Sequence, residues 1–569
     1  MVGERRYEPN PRYPARDGEV TRGWPAAAAS LPAPPFVLAV DGPGILDWHR
    51  LIAGLTQALQ ERGMTTERLD IRRSYATWDE ILARTASNVL ADDPDFARLA
   101  SGTLTDMLDD IQRPSRPAEG VLVVFGPGAA LVQHDVLWYA DLPKRYAEAA
   151  INAGEAVNLG QPDGAGCGTT KRLFYIDWPL LDRHRAGIAG RIDRWLDLQD
   201  PTAPASLDGT ALRRTIAELA RQPFRTRSTF NTTPWGGHWA QRSLGVNQGA
   251  RNTALGYELI APESGVLIGD RAEAQVEIPF QLIVSQHPED ILGPDVYDEF
   301  GSSFPIRFDY LDTVDGGNLS VHCHPQADYM RQVFGWPYTQ HESYYVVVGG
   351  EGRRVFLGLR GDVDIAAFER AAHDAYHEGR PLDIEQYVQT FTADRHRLFM
   401  IPAGTPHGSS EGNVVLEVSA TPYLYSLRFY DWLRRDADGS HRPVHVDHAF
   451  ANLNAERIGP DVEHELLQAP RRVRQGDGWY EELLGALPDV FFEVRRTALD
   501  PDASAEDDTA GRFHVLNVVE GEAVEIETTG NAPQRLNYAE TLVVPAAVGR
   551  YRIRQLGGTP VRIVKALVR

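Results

Sequence analysis

Cysteine is almost missing from this chain: Cys167 and Cys323 are the only two thiols in 569 residues. That excludes a disulfide framework and makes a reducing cytoplasm the expected compartment. Long apolar runs are missing too. The stretch from Val121 to Val132 is interrupted by Gly126, Pro127 and Gly128, well short of the ~20 residues that span a bilayer, so no transmembrane helix is expected. The opening MVGERRYEPNPRYPARDGEV has no apolar h-region, and no secretory signal is expected. Positive charge is scarce: 57 Lys plus Arg stand against 79 Asp plus Glu, a formal net charge of −22. Such a surface repels phosphate backbones and anionic lipid heads, so neither nucleic acid nor a membrane is an expected partner. Any anionic substrate needs a local cationic site that works against the overall field. What the chain does have is apolar material, 43% of its residues, enough for several cores. Its length suggests about three or four domains.

Residues 1–35 are rich in Pro, Arg and Ala with no apolar period, and read as a flexible or surface-draped arm. From Phe36 the pattern becomes strand, turn and helix in alternation, with FVLAV and GVLVVFG as buried strands and a long helical stretch expected up to Leu108. This predicts an α/β domain with a parallel sheet over 36–205. After DPTAPAS the runs turn short and alternating (AQVEIPFQLIV, NLSVHCHP, SYYVVVGG, RVFLGLRG), which predicts antiparallel barrels of the jelly-roll kind. The first barrel is placed at 225–470 with a helical insertion at 364–391, and a second at 471–569. The expected fold class is therefore multidomain, α/β followed by mainly β.

A strand, a Gly-bearing turn and a helix at 36–60 are the setting of a phosphate-binding loop, but the residues fail the pattern G-x-x-x-x-G-K-[ST]. Counting from Gly42, Asp47 stands for the second Gly, Trp48 for the Lys and His49 for the hydroxyl residue. With KRLFYIDWPLLDRHR at 171–185, the region resembles a uridine-kinase type fold with a degenerate nucleotide site. ATP binding is not expected.

The chemistry-bearing cluster is rich in histidine. In NLSVHCHP, His322 and His324 are two apart, so on a strand both rings share a face, about 6–7 Å apart along the chain. Glu342 opens the next apolar run, and His407 follows a Pro- and Gly-bearing turn in IPAGTPHGS. Three imidazoles and a carboxylate on neighbouring strands suit Zn²⁺, with Mn²⁺ and Fe²⁺ as alternatives.

LSVHCHP, the Glu342 segment, FMIPAGTPHG and LEVSATPYLYSLRFYDW resemble class I (type I) mannose-6-phosphate isomerases, zinc-dependent enzymes of the cupin superfamily. TPWGGHWAQ is similar to that family's N-terminal signature, and the likeness runs over about 225–569. It implies an aldose–ketose isomerase acting on mannose 6-phosphate and fructose 6-phosphate, with His322, His324, Glu342 and His407 as metal ligands. It places Ser320 and Arg428 around the sugar phosphate and the reacting carbons, and Glu417 as a pocket carboxylate. Glu417 is the first candidate for the base, Arg428 for electrostatic stabilisation, and His341 a second candidate for proton transfer. Two positions depart from the family pattern. His322 stands where it has Gln, which keeps a metal ligand. Gln340 stands where it has Lys, which removes an ammonium that would attract phosphate and help to move a proton. A sugar-binding sensor without catalysis and an isomerase of an unphosphorylated sugar remain open. A cupin oxygenase also suits three His and one Glu, but here the carboxylate lies 18 residues beyond the H-x-H pair, a spacing that looks like the isomerases.

Overall fold

The protein is represented by a computed structural model that describes residues 7–111, 114–162, 164–436 and 439–569. Five short runs, β1 (Phe36–Asp41), β2 (Thr66–Asp70), β3 (Val121–Phe125), β4 (Val136–Asp141) and β5 (Arg194–Asp197), pair in parallel in the order β2-β3-β1-β4-β5. Every position of β1 and β3 is buried, as central strands of a sheet covered on both faces must be. The helix after β1, α1 (Trp48–Glu61), lays Trp48, Leu51, Ile52, Leu55 and Leu59 against one face, an apolar stripe at helical spacing.

Two sequence expectations for this half are corrected. The 1–35 stretch, read as a flexible or surface-draped arm, is draped and tied down over residues 7–35, not flexible there. Arg12 and Tyr13 pair with Leu267 and Ile268, Thr21 and Arg22 pair with Ser206 and Ala205, and Tyr13 and Trp24 are buried. Isolated aromatic anchors and borrowed strand edges hold it, and neither shows up as an apolar period. The long helix expected to reach Leu108 is also not formed. A helix over Trp78–Thr85 gives way to a loop with two short 3₁₀ turns. There Asp93 accepts the backbone N–H groups of Asp95 and Phe96 at 2.9 and 2.6 Å, and Pro94 lacks the donor a helix needs.

The rest is mainly β. One antiparallel sheet contains β6 (Ile306–Asp312), β8 (Glu342–Val348) and β10 (Val414–Ala420), with β10 between the other two. The other contains β7 (Val321–Cys323), β9 (His407–Ser409) and β11 (Leu427–Tyr430), with β7 in the middle. Within the span read as a helical insertion, α2 (Ile365–Glu378) is a helix capped by Asp364, whereas Val388–Thr392 pairs as a strand with Arg354–Leu359. The alternating V-Q-T-F-T favours a pleated edge over a helix. Strands from Arg471 to Val568 make two more antiparallel sheets of six and four strands. Among the described residues no helix is long and apolar enough to cross a membrane.

Candidate metal centre

The two sheets bring four side chains to one point. His322 on β7 lies opposite His407 on β9, His324 follows on the same face, and Glu342 reaches in from β8 of the other sheet. One ligand atom from each falls within 4.8 Å of every other, and all four residues are buried. The imidazole centroids are 4.3 to 5.3 Å apart. Each ring is tied from behind by a main-chain carbonyl. Nδ1 of His322 meets Ser320 O at 3.0 Å, that of His324 meets Tyr425 O at 3.2 Å, and that of His407 meets Thr405 O at 2.8 Å. A carbonyl only accepts, so each Nδ1 carries the proton and each Nε2 offers a lone pair to the centre. Burial and the neighbouring imidazoles push His322 well below its ordinary pKa, and burial also lowers His324. Burial alone would raise Glu342, but His324 and His407 beside it hold its carboxyl well below the usual range. Neutral imidazoles and an ionised carboxylate are the protonation states that bind a metal. Nε2 of His324 lies 2.9 Å from Glu342 Oε1 without a hydrogen bond, Nε2 of His407 lies 3.1 Å from Glu342 Oε2, and the hydroxyl of Tyr344, whose ring packs on His407, is unpaired. Buried polar atoms left open beside this cluster are ones that a bound cation would satisfy. The donor set therefore fits zinc, and fits manganese or iron as well.

Around this point the structure places the other sequence-predicted residues unequally. Gln340 is 1% exposed and donates from Nε2 to Glu342 Oε1 at 2.5 Å, so it orients the carboxylate. Ser320 sits behind His322, its Oγ 3.3 Å from Nδ1. Arg428 lies directly across from His322 in the β7–β11 ladder and donates to Pro443 O at 2.9 Å. Among the described residues no carboxylate is within ion-pair distance of it. His341 is not brought to the cluster: its Nδ1 accepts from Ala403 N at 3.1 Å and its ring faces Phe491 of the C-terminal sheets. Burial lowers its pKa to about 4. Glu417 is brought close. In register it sits between Asp309 on β6 and Tyr344 on β8, accepts from Ser419 Oγ at 2.8 Å, and is pushed up to about 7 by burial.

Sequence reasoning missed the group that joins these carboxylates. Arg307 on β6 is buried, pairs with Glu417, lies 2.8 Å from Asp309, and comes within 3.6 Å of Glu342. The signal was present: IRFDYLD carries charges at alternate positions of an otherwise apolar strand, which puts Arg307 and Asp309 on one face.

A family profile described as a domain of unknown function (DUF8485) matches residues 23–221. The chain is similar to mannose-6-phosphate isomerase ManA of Bacillus subtilis (strain 168), 23% identical over 261 residues, or 44% of this chain and 73% of that protein. It is also similar to the probable mannose-6-phosphate isomerase GmuF of the same strain, 26% identical over 175 residues, or 30% of this chain and 50% of that protein. Among solved structures, the mannose 6-phosphate isomerase from Bacillus subtilis aligns with a TM-score of 0.48 at 17% identity, over 60% of this chain and 99% of its own.

Proposed function

We propose that this chain is a divalent-metal-dependent aldose–ketose isomerase of the cupin superfamily that interconverts mannose 6-phosphate and fructose 6-phosphate. The observation that carries the reading is the buried His322, His324, Glu342 and His407 cluster, with every imidazole oriented by a backbone carbonyl. The similarity to the two Bacillus subtilis proteins, named as a mannose-6-phosphate isomerase and a probable one, supports the choice of reaction.

Isomerisation moves a proton between C2 and C1 through an enediolate. When bound, zinc supplies Lewis acidity that offsets negative charge on the sugar oxygens. The chain's own residues do the rest. Glu417, with its pKa pushed up to about 7, is poised to take and return a proton at neutral pH. Arg307 and Ser419 hold its carboxyl in place. Arg428, across from His322 and without a carboxylate at ion-pair distance among the described residues, stabilises the oxyanion or the phosphate.

The sign of one mutation tests the phosphate. With mannose 6-phosphate as substrate, Gln340→Lys should lower KM or raise kcat by ~10-fold, the value of one charged hydrogen bond. With an unphosphorylated sugar as substrate, the same ammonium has only the Glu342 carboxylate to pair with and should impair turnover by competing with the metal for it. Tight sugar binding without turnover of any aldose would favour the sensor.

The N-terminal α/β domain is read as a nucleoside-kinase-like domain whose phosphate loop is already filled. The Asp47 side chain caps α1 by accepting from Arg50 N at 3.0 Å, occupying the helix N-terminus where a phosphate would bind. Asp41 accepts the N–H groups of Gly42, Gly128 and Ala130. Titration calorimetry with ATP and Mg²⁺ should show no saturable binding in the micromolar range. Saturable binding would contradict this reading of the loop.

A further inference from the structure

The loop that replaces the expected helix before Leu108 does not end its business inside the N-terminal domain. It crosses to the barrel and inserts Phe96, 3% exposed, among residues that back the metal centre. Phe96 stacks on Tyr425, with planes 17° apart and centroids 6.3 Å apart, and packs against Phe334 at 5.2 Å and His445 at 4.7 Å. Tyr425 is the residue whose carbonyl holds Nδ1 of His324. Its ring is also packed by Phe334 at 4.7 Å and by Tyr175 at 5.7 Å, so three aromatic neighbours enclose it, two of them, Phe96 and Tyr175, from the N-terminal domain. His445 in turn donates its backbone N–H to Arg428 O at 2.9 Å, and the Arg428 N–H reaches back to His445 Nδ1 at 3.4 Å. Asp95, next to Phe96, lies 3.5 Å from Nε2 of the same histidine. Two residues earlier, the Asp93 carboxylate bonds His448 at 2.7 Å, and His448 bonds the Tyr329 hydroxyl at 2.6 Å in the turn that follows His324. Leu99 N donates to Phe334 O at 2.8 Å, which fastens the far end of the loop.

We propose that the Asp93–Phe96 turn of the N-terminal domain is a positioning element of the metal centre, fixing His324 through Tyr425 and the Arg428 strand through His445. This inference rests on the reading of His322, His324, Glu342 and His407 as metal ligands. Packing between domains needs only apolar area. Here a single turn instead meets the residue that orients a ligand, the residue bonded on both sides to the Arg428 backbone, and the turn after His324. The N-terminal domain is thereby part of the isomerase site, whether or not it binds a ligand of its own.

The test uses the full-length protein and Co²⁺ as the probe, because its visible d–d bands report ligand geometry and its titration reports affinity. Phe96→Ala should shift the bands and weaken Co²⁺ binding by up to ~10-fold, the low end of the cost of losing a partner that orients a metal-bound histidine, because the Tyr425 carbonyl stays and only its support is lost. Phe96→Leu, which keeps most of the apolar volume, should bring both back most of the way. Asp93→Ala gives a second entry to the same turn and should move the bands in the same direction. Leu55→Ala, in the core under α1 and outside the cluster that holds Phe96, lowers thermal stability and leaves the bands unchanged. Unchanged bands and affinity in both Phe96→Ala and Asp93→Ala would overturn the proposal, as would Leu55→Ala shifting the bands equally. A wild-type protein that takes up no Co²⁺ would instead overturn the reading of the metal centre itself.

Discussion

His407→Ala and His324→Ala should each turn a chain carrying one equivalent of divalent metal into one that holds almost none after dialysis. A four-ligand zinc site is worth ~10–16 kcal/mol, so losing one ligand removes roughly a quarter of it, a drop of about 70- to 900-fold in affinity. These imidazoles are 0% and 1% exposed, and no further His, Cys, Asp or Glu among the described residues is grouped with the four. His341→Ala is the contrast. Its ring is engaged with Ala403 and Phe491, and its loss should leave metal content unchanged. Metal analysis of the three variants separates a four-residue site from general histidine binding. Stoichiometric metal in both His324→Ala and His407→Ala would place the ion elsewhere.

Arg307→Met is expected to be the most destabilising single change near the centre. It leaves Asp309, Glu342 and Glu417, all buried, without the cation they share. Removing one partner from a buried ionic network costs about 3–5 kcal/mol, because the remaining charges cannot recover their hydration. The melting transition of the barrel should fall by roughly 10 °C. Arg307→Met combined with Asp309→Leu should recover part of that loss, since the second change removes a stranded carboxylate. If Arg307→Met melts at the wild-type temperature, the carboxylates are not relying on that guanidinium. Activity should fall as well, because Glu417 loses the partner that holds it.

How far the sequence could be read varies along the chain for physical reasons. The parallel sheet was legible because central strands such as FVLAV and VLVVF are buried on both faces and appear as unbroken apolar runs. The shared face of His322 and His324 was legible because a strand's period of two makes the spacing itself geometric. Glu342 and His407 could be joined to them only by the turn patterns around them and a family resemblance, because sequence spacing does not say which strands of two different sheets face each other. The tying-down of residues 7–35 was not legible. Tyr13 and Trp24 are single anchors, and the strand edges they border belong to segments some 180 to 250 residues away. The turn at Asp93 was readable in principle from D-D-P-D. Its role at the barrel was not, since the Phe96–Tyr425 contact spans two domains. Arg307 was less legible for a simpler reason: a single charge in a short apolar strand does not say which carboxylates of neighbouring strands will pair with it, although its burial demands a partner.

The most direct measurement is the conversion of mannose 6-phosphate to fructose 6-phosphate by full-length protein, first stripped of metal by a chelator and then titrated with Zn²⁺. The predicted result is no turnover after stripping and activity that rises to a plateau at one zinc per chain, with the His324→Ala protein inactive throughout. A protein that binds one zinc tightly and converts neither this sugar phosphate nor any other aldose would contradict the isomerase assignment.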